Sequence, residues 1–212
     1  MQTRRPWLRR ASVTAVSAAA LVAMAAPADA TTSTSAATAA TATSTAAADV
    51  DYGTWQKDCQ AVMDQALPYL KQRIAATRPG EKQAIVFDID NTTLETDFGF
   101  SYPQPANKPV LEVARYAQEH GVALFFVTAR PDIIYSFTEY NLEQAGYQVS
   151  GLYVRNFIDL FKNVAEYKTA QRVDVEKKGY TIIANIGNSA TDLSGGHAEK
   201  TYKLPDYDGQ LS

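Results

Sequence analysis

Asp88 and Asp90 stand two residues apart at the end of a short apolar run, in Val86-Phe87-Asp88-Ile89-Asp90-Asn91-Thr92-Thr93-Leu94. In an extended chain alternate side chains share a side, so both carboxylates point one way while Ile89 turns toward the core. Like charges this close need a cation between them or one shared proton, which is the chemistry of a cation site or an acid–base pair. Asp and Thr at a strand end equally make a solvated loop that caps a helix, and this motif alone leaves both readings standing.

Three further segments carry reactive side chains. Phe126-Val127-Thr128-Ala129-Arg130-Pro131-Asp132 places a hydroxyl and a guanidinium just ahead of a helical pattern whose first position suits Pro131. Free N–H groups and the dipole at such a helix start attract phosphate, although Thr128 also serves as a simple cap. Ile186-Gly187-Asn188-Ser189-Ala190-Thr191-Asp192-Leu193 is a glycine turn that admits a close backbone approach, with an amide and a carboxylate behind it. Lys168 precedes Asn188 by 20 residues at the start of a helical pattern, where a lone Lys ordinarily does nothing more than solvate the surface.

The elements that must position these residues follow from hydrophobic patterning. Short apolar runs at 84–87, 122–127, 152–154 and 181–186, with a weaker fifth at 201–204, alternate with helical patterns at 109–119, 132–145 and 164–178. Runs of continuous hydrophobicity between helices predict a parallel sheet covered on both faces, hence a three-layer α/β domain with its ligand site at the carboxyl ends of the strands. Ahead of them, Trp55, Cys59, Val62, Met63, Ala66, Leu67, Leu70 and Ile74 recur at three and four, a helix or a helix pair bent at Pro68 over 52–77.

Of the 212 residues, 46% are apolar and 20% charged, as in ordinary globular proteins. Residues 1–30 have the grammar of an export signal: Arg4, Arg5, Arg9 and Arg10, an Ala-rich stretch, then Ala28-Asp29-Ala30. The Arg pair followed by Trp7 and Leu8 resembles a twin-arginine signal, which predicts a secreted or extracytoplasmic protein without stable membrane association. Residues 31–48 contain only Ala, Ser and Thr and read as a disordered spacer, leaving 49–212 as one folded domain. Beyond residue 30 the chain has 16 Lys+Arg against 22 Asp+Glu, a net charge of −6 without a basic run, which argues against nucleic-acid polymers and anionic lipid as partners. Cys59 is the only cysteine, so no internal disulfide forms; a small buried thiol is expected.

Together, Asp-x-Asp-x-Thr, Thr128, Lys168 and Gly-x-x-x-x-Asp in this order on successive strand ends resemble the haloacid dehalogenase-like (HAD) phosphohydrolases. Within that superfamily, 87–94, Tyr167-Lys168-Thr169, Gly179-Tyr180-Thr181-Ile182 and Lys203-Leu204-Pro205 resemble the subfamily IIIB, class B-like acid phosphatases related to plant vegetative storage proteins. The likeness spans roughly residues 55–205 and implies a three-layer αβα, Rossmann-like fold with a central parallel sheet and a small or absent cap. It further implies hydrolysis of small-molecule phosphomonoesters, with Asp88 attacking phosphorus to give an aspartyl-phosphate and Asp90 first protonating the leaving oxygen and then activating water. Thr128, Arg130 and Lys168 would hold phosphate oxygens; Asp88, Asp90 through its carbonyl, Asn188 and Asp192 would hold Mg²⁺. An acid that must carry its proton predicts an acidic activity optimum.

Asn188 departs from this pattern, because most of the group carries an Asp there. An amide oxygen is still a hard ligand but brings one less charge, predicting weaker Mg²⁺ binding and a gain in affinity on Asn188→Asp. The lipin-like phosphatases also resemble the Gly-Asn-x-x-x-Asp pattern, and a lipid-phosphate substrate would follow from that loop alone. The alternative to an enzyme is a storage or phosphate-ligand-binding relative without turnover. Residues 95–107 are too few for a full cap; Phe98, Phe100 and Tyr102 either form an aromatic flap over the pocket or seal the core beside the first helix. His120 is expected to cap a helix end and His197 to face the pocket or solvent.

Overall fold

A computed structural model describes residues 50–99 and 101–211; the expected export signal, the spacer and Phe100 lie outside them. Helix α1 (Tyr52–Ala75) starts where the Asp51 carboxylate accepts from Thr54 N at 2.7 Å. It is one continuous helix and not a bent pair, although Pro68 lies inside it. Met63 and Ala66 before the proline and Leu70 and Ile74 after it enter the same core, which keeps the helix in register across the missing N–H.

Strands β1 (Lys82–Phe87), β2 (Ala123–Pro131), β3 (Gly151–Arg155), β4 (Tyr180–Gly187) and β5 (Thr201–Lys203) form one parallel sheet in the order β3-β2-β1-β4-β5. Helices α2 (Lys108–Glu119), α3 (Tyr135–Ala145), α4 (Val164–Lys177) and the single turn α5 (Ala190–Leu193) connect them. Period-two alternation makes the layers: Ile85, Phe87, Leu124 and Phe126 pack with α1 and α2, while Ala84, Val86, Phe125 and Val127 pack with Tyr167 and Val175 of α4. The expected α/β architecture and parallel sheet are therefore present, with the chain leaving β1, β2 and β4 toward one end.

One boundary differs. Pro131 is the last residue of β2 and not the first of a helix, and a 3₁₀ turn at Asp132–Ile134 separates it from α3. Pro131 is itself extended at φ −74° and ψ 153° and pairs with Arg155 of β3, so β2 runs on through the expected helix start. Cys59 is fully buried in the core and burial pushes its thiol up to about 12, as expected of an inert packing residue. His120 closes α2, its Nδ1 lying 2.7 Å from Tyr116 O.

Candidate active site

Asp88 is the first residue past β1, tied to β4 by its N–H on Ile186 O at 2.9 Å. Immediately beyond it the chain curls: Ile89 O accepts from the N–H groups of Thr92, Thr93 and Leu94 at 3.2, 3.0 and 3.0 Å. Asn91 takes a left-handed φ of 51°, held by reciprocal bonds with Asp97, and Thr93 Oγ1 donates to Asp88 O at 3.1 Å. The threonines of this motif fix the turn, and the buried Ile89 pins its centre to the core. The two carboxylates leave the turn into unlike surroundings.

Asp88 is buried beside Lys168, which is only 4% exposed. Asn163 caps α4 by accepting from Ala165 N at 2.9 Å, which orients the helix so that Lys168 Nζ donates to Asp88 Oδ1 and to Asp192 Oδ1, both at 2.5 Å. Asp192 in turn accepts Ser189 N on Oδ2 at 2.8 Å, half of a capping box at α5. Gly187 makes this approach possible, since a Cβ there would lie 2.4 Å from Asp192 Cβ. The buried Arg172 braces the loop from behind, donating to Asp192 O at 2.7 Å, to Gly196 O at 2.9 Å and to Ser194 O. Asn185 also donates to Asp192 O, at 2.9 Å.

One ammonium facing two buried carboxylates leaves the cluster short of positive charge. Burial, with the nearby Asp192 and Asp90 adding to it, raises Asp88 to about 7 in spite of Lys168. Burial also works against the Lys168 charge, but Asp88 and Asp192 together outweigh it and hold Lys168 above its ordinary value.

Asp90 is partly exposed. Arg130 donates through Nε to both Asp90 oxygens at 3.1 Å and through Nη2 to Oδ1 at 2.7 Å, and Thr96 Oγ1 adds a bond at 2.9 Å. The same guanidinium reaches Gln104 Oε1 at 3.0 Å. Arg130, expected on phosphate, is thus engaged with the second carboxylate. Thr128 is buried at the end of β2; its Oγ1 accepts Arg130 N at 3.1 Å and, among the described residues, donates to no protein acceptor.

Asn188 follows β4 and is buried, accepting from Thr92 Oγ1 at 3.3 Å and donating from Nδ2 to Leu211 O at 2.8 Å. Among the described residues no group of three or more His, Cys, Asp or Glu side chains could hold a metal ion. The available set is instead the Asp88 carboxylate, the Asp90 carbonyl and the Asn188 amide oxygen. Such an all-oxygen, weakly charged set fits a hard cation such as Mg²⁺. Asp192, expected as a direct ligand, accepts from Lys168 on Oδ1 and from Ser189 N on Oδ2.

The aromatic segment divides. Phe98 stacks on Trp55 at 4.4 Å and meets Tyr52 at 5.3 Å, sealing α1. Tyr102 is 55% exposed, lies against Phe137 at 6.2 Å and, with Gln104, Arg130, Phe137, Thr138 and Asn141, lines a cleft of about 550 Å³. Arg130 joins that cleft to Asp90. His197 is partnered by Glu176 at 2.7 Å, beside a separate cleft with Tyr180 and Thr181. Arg172, Asn163 and Asn185 had no sequence signal beyond their type, because each works through backbone carbonyls or N–H groups that sequence does not place.

A family model described as HAD superfamily, subfamily IIIB (acid phosphatase) matches residues 9–104 and 101–210. Among curated relatives, the stem 28 kDa glycoprotein of Glycine max is 32% identical over 175 residues, covering 71% of this chain and 67% of that protein. A stem 31 kDa glycoprotein of the same plant is 32% identical over 175 residues, and the chain spans only 59% of its length. Among solved structures, the class C acid phosphatase from Bacillus anthracis superposes with a TM-score of 0.59 at 17% identity, over 74% of this chain and 80% of that one. At that identity the structural likeness supports the fold.

Proposed function

Because the chain belongs to the HAD superfamily, subfamily IIIB, the acid phosphatases, we propose that it is an exported, Mg²⁺-dependent phosphomonoesterase working through an aspartyl-phosphate. The observation that carries this reading is the convergence of Asp88, Lys168 and Asp192, 80 and 24 residues apart in pairs, on one buried ammonium at the strand ends.

Lys168 holds Asp88 by Oδ1, which leaves Oδ2 to attack phosphorus as the bond to the leaving oxygen breaks. Asp90, at the solvent margin, delivers a proton to that oxygen and takes one from the water that then cleaves the acyl-phosphate. Thr128 Oγ1 has a hydroxyl hydrogen to give a phosphate oxygen. Arg130 stands between Asp90 and the cleft, so an entering phosphate dianion competes with Asp90 for its guanidinium. Mg²⁺ held by Asp88, the Asp90 carbonyl and Asn188 would neutralise charge on the phosphoryl group. Asp192 contributes by fixing Lys168. Leaving groups extend into the cleft walled by Tyr102 and Phe137.

The test is phosphate release from p-nitrophenyl phosphate by the purified chain, with Mg²⁺ or EDTA, beside Asp88→Asn. Mg²⁺-dependent turnover lost in the variant supports the enzyme. Absence of turnover across pH 4 to 9 with a panel of phosphomonoesters supports the second reading, a phosphate-ligand-binding or storage protein, which draws on the uncharged Asn188. Export by the twin-arginine route is tested by replacing Arg4 and Arg5 with Lys and following the chain across the membrane. Among the described residues no helix is long and apolar enough to cross one.

A further inference from the structure

We propose that Asn188 is a two-handed positioning residue: its amide nitrogen fastens segment 206–211 to the end of β4, and that fastening sets which way its amide oxygen faces the cation site. The naming of the cation rests on the phosphatase reading; the fastening does not.

The orientation of the amide follows from its neighbours. Leu211 O can only accept, so the group 2.8 Å from it is the Asn188 NH₂. The Asn188 oxygen then turns to Thr92, in the turn that follows Asp90. A flipped amide would set oxygen against carbonyl oxygen and aim a donor where an electron pair is needed.

Segment 206–211 is built to present that carbonyl. Tyr207, Asp208 and Gly209 have φ of 49°, 56° and 83°, three left-handed residues in succession, two of them with a Cβ penalty. The turn closes with Leu211 N on Asp206 O at 3.0 Å. Tyr207 Oη donates to Asp58 Oδ2 of α1 at 2.7 Å, and Leu204 N donates to Gly187 O at 2.9 Å. Leu211 itself is 4% exposed and packs into the main core. A strained turn held at both ends and capped by a buried side chain fixes the carbonyl, and the carbonyl fixes the amide. An Asp at 188 has no N–H to give Leu211 and would bury a carboxylate oxygen against that carbonyl. The charge argument that favours Asp for cation binding therefore neglects the hand that holds the residue in place.

Hydrogen exchange of the full-length chain without Mg²⁺ reads the fastening directly. In Asn188→Asp, amides of the 204–211 peptide should exchange about tenfold faster while the 82–87 peptide of β1 is unchanged, the loss of one buried bond being local. Should that variant not fold, Asn188→Ala removes the same hand without adding charge and is read on the same peptides. Leu211→Ala should weaken Mg²⁺ binding by calorimetry about tenfold, although residue 211 supplies no side-chain ligand. Unchanged exchange at 204–211 in the Asn188 variants overturns the fastening, and wild-type Mg²⁺ affinity in Leu211→Ala overturns its effect on the site. A chain without turnover that still shows the exchange coupling would defeat the phosphatase reading and leave the fastening intact.

Discussion

Asp88 and Asp90 are neighbours in sequence and strangers in environment. Asp88 lies inside the protein, held by an ammonium that is itself shared with Asp192. Asp90, 27% exposed at its side chain, lies in the fork of a guanidinium that itself lines the cleft. The buried partner is a single point charge with no freedom to leave, whereas the marginal one is a fork with several donors and a second acceptor within reach. A nucleophile benefits from the first arrangement, which fixes one oxygen and frees the other. A group that must give and take protons benefits from the second, beside solvent and beside a partner that a phosphate can draw away.

The comparison breaks most visibly at its buried end. Lys168→Met leaves two carboxylates without their cation, and the loss of a buried partner should cost about 3–5 kcal/mol of stability, read by chemical denaturation. Adding Asp88→Asn to that variant should restore part of the loss, since one of the stranded charges is gone. At the marginal end, Arg130→Ala should cost roughly 1 kcal/mol or less in the same assay, while turnover falls about 100-fold. Equal destabilisation by the two substitutions would erase the distinction.

Titration sharpens the contrast. Asp88 is raised from 3.8 to about 7, so the folded state holds a proton that the unfolded chain releases near 4. Stability from this group is full below pH 4 and is lost as pH rises through 7. Asp88→Asn should therefore gain stability relative to wild type at pH 8 and show little gain at pH 4, in melting curves without added metal. The smallest effect belongs to a residue outside both regions: Cys59, buried with its thiol raised to about 12, should resist maleimide in the native chain and react only in denaturant.

The layered α/β fold was legible because each strand reads as a continuous apolar run and each helix as a three-four pattern, signals long enough to survive context. Start points were less so: β2 runs through Pro131 because pairing with Arg155 of β3 holds it extended, a tertiary contact that overrides the proline's suitability for a first helical turn. Asp88, Lys168 and Asp192 were legible from their order along the chain, and the sheet brings them together. Arg130 was assigned to phosphate from its place ahead of a helix, and only the curl after Asp90 reveals the carboxylate that it meets first. Phe98 and Tyr102 are four residues apart with the same aromatic character, yet one stacks on Trp55 and the other walls the cleft. Nothing in their types distinguishes a ring that α1 covers from one that it does not.

The proposed roles make the buried carboxylate the nucleophile and the marginal one the proton carrier. These roles are separated by incubating Asp90→Asn with p-nitrophenyl phosphate and Mg²⁺, trapping the acyl-phosphate with borohydride and locating the modified residue by mass spectrometry. A single modified site at Asp88 is expected, absent when Asp88 is also replaced by Asn. Modification elsewhere, or turnover that survives Asp88→Asn, would contradict these roles.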